Sequence, residues 1–387
     1  MTGFTGLRNN VTSERFDAGD LETADNLNLD DTGKAFRRDG YTLESSGAKD
    51  SLWAKGEFCL VMDGTTLKRR LSDGTLVSVR TGLTDADMAY ELAAGDVYYT
   101  NGHQTGKYTK GGDYPWGISL PTSFVGQNSS GSLYPGSYLF TVTYLRSTGE
   151  ESGTKWIGSL DVTTGGIAFT GIPVSTDPLV THKAIYLTAA NSKELHQAAI
   201  LENSTETYTY HGGNLGPALN TYLKEPPLPG HAVGVFNGRM LIARDGFLYY
   251  SEPYAYSLFD QREYFEFDSR ITVVAPVIDG VWIADRDRTW FLQGNDIANS
   301  EARLMSDYGA IEGSLSHAQV SMIGADGTPQ DARVAVWTSQ NGICYGFPGG
   351  VLINVTTKKY TFPTLKNKAA GFVRTSDGIN QYISVCA

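Results

Sequence analysis

The chain has 387 residues, with 31 Lys and Arg against 42 Asp and Glu, for a net charge of −11. Such an acidic balance argues against a protein that grips nucleic acid, because that affinity comes from cations neutralising phosphates. A passage along which nucleic acid slides without sticking stays compatible with it.

Hydrophobic residues are 41% of the chain and charged residues 19%, enough to fill a core, and the length suggests two or three units at roughly 150 residues each. The 44 Gly and 14 Pro, beside 22 Tyr, 16 Phe and 6 Trp, point to many short strands and an all-β chain. No apolar run reaches the ~18 residues of a membrane span. The opening residues lack the basic start and apolar stretch of a signal peptide, so synthesis in a cytosol is expected. The sequons at Asn10 and Asn203 therefore carry no glycosylation reading. Cys59, Cys344 and Cys386 form no CxxC or Cys/His spacing, so neither a disulfide nor a metal site is expected.

Residues 1–45 read as an N-terminal arm. Asn26, Leu27, Asn28, Leu29 and Asp30 alternate polar and apolar, as a half-buried strand does; Asp31-Thr32-Gly33 is a turn, and Lys34–Arg37 returns as the partner. Residues 46–130 follow as short antiparallel strands with Asp-Gly turns at Asp63 and Asp73 and an Asn-Gly turn at Asn101. The spacing predicts SLWAKG, EFCLVM, TLKRRL and TLVSVR as one meander, then MAYEL, DVYYT and GKYTK as the next. Residues 131–215 lack these turns. Some six strands there, from SYLFTVTYLR to ETYTYHG, fit an inserted fibronectin type III-like β-sandwich on the rim, bounded by the flexible GQNSSGSLYPG and the Pro-rich KEPPLPG.

Residues 216–387 resume the first pattern, with turns at Asn237, Asp245, Asp279, Asp326, Asn341 and Asp377. Strands AVGVF, RMLIAR and FLYYSE make one blade, and VVAPVI, VWIADR and RTWFLQG the next. A third takes ARVAVWTS, ICYGFP, GGVLINVT and KKYTF. The tail ends part-way through a blade, so a strand borrowed from the other end is expected to close the ring. The whole reads as a β-propeller-like main domain interrupted by the sandwich. Helical patterning is weak: DADMAYELAAG and NSKELHQAA amount to a turn or two at most.

Three pieces of the arm carry a resemblance: Leu7-Arg8-Asn9-Asn10, the stretch Ala24–Asp30, and Gly33 with Arg37-Arg38-Asp39-Gly40-Tyr41. Their order, followed by blade-like strands, resembles the opening of the tail nozzle or tail hub virion proteins of short-tailed bacteriophages. The resemblance spans about forty residues by motif and the rest by architecture alone. It implies a structural virion protein of the phage tail, assembled in the host cytoplasm. Such a protein forms a six-fold cyclic ring with copies of itself under the head-to-tail adaptor or portal. It meets other tail proteins or fibres and extends the channel through which DNA leaves, without sequence-specific binding.

Catalytic patterns are missing. There is no G-x-S-x-G elbow, phosphate loop, dinucleotide fingerprint or H-E-x-x-H. His103, His182, His196, His211, His231 and His317 are scattered, so no catalytic residue, metal ligand or cofactor is expected. Asp285 and Asp287 invite a reading as paired carboxylates or calcium ligands; solvent-facing charges balanced by Arg286 and Arg288 explain them better. Lys68-Arg69-Arg70, with Arg37-Arg38, is the one basic concentration. Tyr249, Tyr250, Tyr254, Tyr256, Phe259, Tyr264, Phe265 and Phe267 are dense enough for sugar stacking or a subunit interface. Two rivals to the tail protein are a carbohydrate-binding or carbohydrate-cleaving propeller and a passive adhesin module.

Overall fold

The computed structural model describes residues 3–30, 32–163, 165–323, 329–376 and 378–386. Besides a sandwich inserted after the second, five four-stranded antiparallel sheets succeed one another along the described residues, with a two-stranded hairpin after the last. The first blade is Asp50–Lys55, Phe58–Asp63, Thr66–Arg70 and Leu76–Arg80. The second is Ala89–Ala93, Asp96–Thr100, Thr105–Thr109 and Gly112–Tyr114. The third takes Ala232–Phe236, Arg239–Arg244, Phe247–Glu252 and Ala255–Glu266, and the fourth Val273–Val277, Gly280–Ala284, Thr289–Gln293 and Glu301–Ser306. In the fifth are Ser316–Gln319, Arg333–Ser339, Gly342–Gly346 and Leu352–Asn354; Ala369–Ser376 and Ile379–Cys386 form the terminal hairpin. In each four-stranded blade the strands lie side by side in sequence order, the up-and-down pattern of a propeller.

Tight turns make this possible. Asn237 and Gly238 both hold positive φ (43° and 79°), as a two-residue hairpin turn requires. Ala94 and Gly95 do the same at 49° and 87° without the Asn or Asp that signals such a turn. The expected turn residues Asp31, Asp326 and Asp377 lie outside the described residues.

Each seam between the first five blades is filled by apolar side chains. Leu60 and Leu67 meet Val97 and Tyr99 between the first and second. Tyr98 and Trp116 meet Met240 and Phe259 between the second and third. Leu241 and Leu248 meet Val281 and Ile283 next, and Trp282 and Phe291 then meet Ala335 and Trp337. Full burial of such side chains contributes about 1.5–3 kcal/mol each. Between the second and third blades the chain leaves the ring to build a sandwich of a three-stranded and a four-stranded sheet around Phe140, Ile167 and Phe169.

Several expectations are corrected. The stretch read as the linker GQNSSGSLYPG supplies the sandwich strand Val125–Leu133. Its glycines permit close approach: a Cβ on Gly131 would sit 2.5 Å from the carbonyls of Gly165 and His211. The segment KKYTF is not a strand, and the fifth blade begins instead at Ser316–Gln319. Ala89–Ala93 is the strand expected from MAYEL, and the one described α-helix is the single turn Val320–Ile323. No described helix is long and apolar enough to cross a membrane. Finally, no described N-terminal strand pairs with the terminal hairpin.

Candidate functional site

The N-terminal arm spans the seam that the missing strand would have closed. Asn9 donates its backbone N–H to the Lys359 carbonyl (3.0 Å) and its side-chain amide to the Thr361 carbonyl (2.9 Å). In return it accepts the Thr361 N–H on Oδ1 at 2.6 Å. Asn10 Nδ2 donates to the Lys358 carbonyl at 2.7 Å. Asp20, its side chain fully covered, accepts from Lys359 Nζ (2.7 Å) and Arg8 Nη1 (2.8 Å). Lys359, then Arg8, hold the Asp20 carboxyl well below its usual range. These bonds occupy the carbonyls of Lys358, Lys359 and Thr361, while the N–H groups of Lys359 and Tyr360 turn back to the Thr356 carbonyl.

The arm owes its own shape to close backbone contacts. Phe4 N–H reaches the Gly33 carbonyl at 2.8 Å, and a Cβ on Gly33 (φ 78°) would strike the Phe4 backbone at 2.5 Å. Arg38 ties itself to Asn28 at 3.1 Å and to the Asn26 carbonyl at 2.8 Å. Residues 38–49 then cross the seam with polar holds alone. Tyr41 lies under Arg374 of the terminal hairpin at 5.6 Å, Glu44 pairs with Arg70 of the first blade at 2.5 Å, and Lys49 reaches Asp63 at 4.0 Å. The three motif pieces singled out in the sequence thus fold and anchor the arm.

A second built feature fixes the sandwich to the rim. The fully buried Arg146 side chain donates to Asp177 (2.7 Å), Glu150 (2.9 Å) and the Pro115 carbonyl (2.8 Å). Glu150 also accepts from Ser257 of the third blade at 2.7 Å and from Lys107 of the second at 3.2 Å. Burial pushes the Glu150 carboxyl up, but Arg146, Lys107 and Ser257 outweigh it and hold it below its ordinary value. Beside this network the buried Trp116 donates Nε1–H to the Tyr256 carbonyl at 2.8 Å and packs on Tyr98.

The other singled-out residues scatter. Asp285 does not face solvent: it is buried and caps its turn, accepting from Ser269 Oγ (2.8 Å) and from the N–H groups of Asp287 and Arg288 (both 2.7 Å). Arg288 pairs with Asp268 and not with Asp287. Lys68 pairs with Asp63 at 2.7 Å and Arg70 with Glu44, while Arg69 lies over Phe58. Tyr250, Phe259 and Phe267 are core residues; Tyr264 meets Phe247 edge-on and Tyr249 at a tilt, and Tyr254 projects into solvent. His182 and His196 meet glutamates, while His231 contacts the Ile271 carbonyl at 2.6 Å. His317 is held neutral by burial and then by the nearby Arg333 and Lys55. All three cysteines are free thiols; Cys344 is buried, which pushes it up to about 12. No described group of three His, Cys, Asp or Glu could hold a metal ion. The signal that sequence reasoning missed is the pairing of a buried Arg146 with Asp177 and Glu150, since nothing in their spacing separates them from surface charges.

Two cavities border these features. One of about 280 Å³ is lined by Arg270, Arg286, Asp287 and Glu312, with no aromatic side chain. The other, of about 410 Å³, has Tyr114 and Trp116 with a single carboxylate, Asp113, which already accepts from Tyr99 at 2.6 Å. Neither joins two carboxylates to an aromatic side chain.

No known protein family matches the chain, and no curated protein does. Among solved structures, streptogramin B lyase aligns at 11% identity over 86% of this chain and 88% of its own, with a TM-score of 0.35. The N-terminal domain of Nup159 aligns at 7% identity over 87% and 72%, with a TM-score of 0.32. An inactive virginiamycin B lyase from Staphylococcus aureus aligns at 10% identity over 92% and 90%, with a TM-score of 0.29. At scores this far under 0.5 the order of the blades, and not these neighbours, carries the fold.

Proposed function

We propose that the chain is a non-enzymatic virion protein of a tailed phage, a subunit of a cyclic ring in the tail nozzle or hub. One observation carries the reading. The motif residues that resemble the nozzle family, Leu7 to Asn10 above all, are used to build and anchor an arm outside the blades. Neither cavity draws on them. Such an arm suits assembly: it orders against a surface through polar contacts and leaves the blades free to pack into a ring. The net charge of −11 suits a passage for DNA, since carboxylates repel phosphates. The test is gold-labelled antibody against the protein, imaged by electron microscopy on particles from the producing lysate. Gold at the head–tail junction or tail end is the expected result; bare particles beside soluble protein would overturn it.

A further inference from the structure

The terminal hairpin is two strands short of the blades before it. Ala369 and Gly371 turn their N–H groups outward to the Glu312 and Gly313 carbonyls, so their partners Cys386 and Ser384 sit at the non-hydrogen-bonded positions of the pair. The N–H and C=O groups of Asn380, Tyr382 and Ser384 therefore point away from Ala369–Ser376, along an outer edge that no described strand covers. The inner side of the hairpin is held to the fifth blade by Tyr382 on the Ser314 carbonyl (2.6 Å) and Ser384 on Thr338 (2.8 Å). Its other face is open, with Phe372 45% and Val385 60% exposed. Across the seam Leu52 of the first blade is 71% exposed. Among the described residues, none of the buried apolar clusters draws on the terminal hairpin or on the arm.

The arm that spans this seam contributes hydrogen bonds and ion pairs, and leaves the apolar face bare. Its residues 3–37 form a small unit of their own, joined to the first blade only by the exposed stretch 38–49. We infer that in the assembled protein the arm of one copy is taken up by the seam of the next. There Asn9, Asn10 and Asp20 meet the partner's backbone and lysine at 358–361 through the same contacts that they make within one chain. Exchange costs little, because no buried core is broken and the bonds re-form in kind. The occupant is a second copy because the seam already fits this arm, residue by residue. Arm and seam are different surfaces, so the contact is head-to-tail and propagates around a ring. A connector of twelve residues reaches at most about 40 Å. This rests on the ring reading above.

The test uses full-length chains in which Cys59 and Cys386 are serine. One carries Asn10→Cys, the other Lys358→Cys, so that a disulfide between these positions forms only between copies. A third chain carries both and reports closure within one chain. Mixed under oxidising conditions across a range of concentrations, the two single variants are expected to give a covalent dimer on non-reducing gels, and the double variant a ladder of higher oligomers. No intermolecular bond in the mixture, with the double variant closing on itself as a monomer, overturns arm exchange. Gold labelling of particles is read independently, so that outcome leaves the virion reading to its own test.

Discussion

At the scale of single residues, the strongest commitments are buried charges with several partners. Arg146 is surrounded by Asp177, Glu150 and the Pro115 carbonyl, and replacing it with Met leaves Asp177 without its cation and Glu150 with Lys107 alone. Breaking a buried pair from one side typically costs 3–5 kcal/mol, so Arg146→Met is expected to lower stability by about that much in urea unfolding. An unchanged midpoint would show that the network is dispensable. Asp20 gives the opposite kind of test. Its carboxyl titrates lower in the folded arm than in a free chain, so its contribution is present above the free value near ~4 and fades as pH falls through the folded one. Amide protection in residues 3–37, taken relative to the intrinsic exchange rate at each pH, is expected to fall on acidification below about pH 4 while that of the blades holds, and Asp20→Asn to lower it already at pH 7. Neither network was legible in the sequence. Arg146 and Asp177 look like surface charges until tertiary packing removes their water.

At the scale of elements, blades succeed where alternation and turn chemistry agree. The first three strands of the third and fourth blades were readable because Asn237-Gly238, Asp245-Gly246 and Asp279-Gly280 punctuate apolar runs, whereas the fourth strands, Ala255–Glu266 and Glu301–Ser306, were not. Strands went unseen where those signals are absent. Ser316–Gln319 is a short polar strand that becomes a blade edge only because Arg333–Ser339 lies beside it. Val125–Leu133 looks like a linker since its glycines serve close packing, not flexibility. Burial predicts how substitutions divide. Leu241, fully buried between the third and fourth blades, is expected to lose about 2–5 kcal/mol as Leu241→Ala. Leu52 is exposed at the open seam, and Leu52→Ala is expected to stay within ~0.5 kcal/mol in the isolated chain. Thermal or urea melts of both variants check the contrast.

At the scale of the whole molecule, the ring is closed unevenly. Four seams hold apolar clusters, whereas the last is crossed by Glu44–Arg70, Tyr41–Arg374 and Lys368–Asp87 (2.5 Å), contacts that salt screens. Hydrogen exchange is expected to be faster in Ala369–Ser376 and Ile379–Cys386 than in any other blade, and faster again in ~1 M salt, while the first five blades change little. Uniform protection around all six would contradict an open seam. The all-β class, the sandwich between blades and the separate arm were set by sequence alone, because strand alternation, Asn-Gly and Asp-Gly turns and charge balance act locally. How the ring closes was decided only in three dimensions. Whether the arm adds a strand or lies across as a polar strap depends on which backbone groups at 358–361 and 379–386 are free when every blade is in place. No local pattern encodes that.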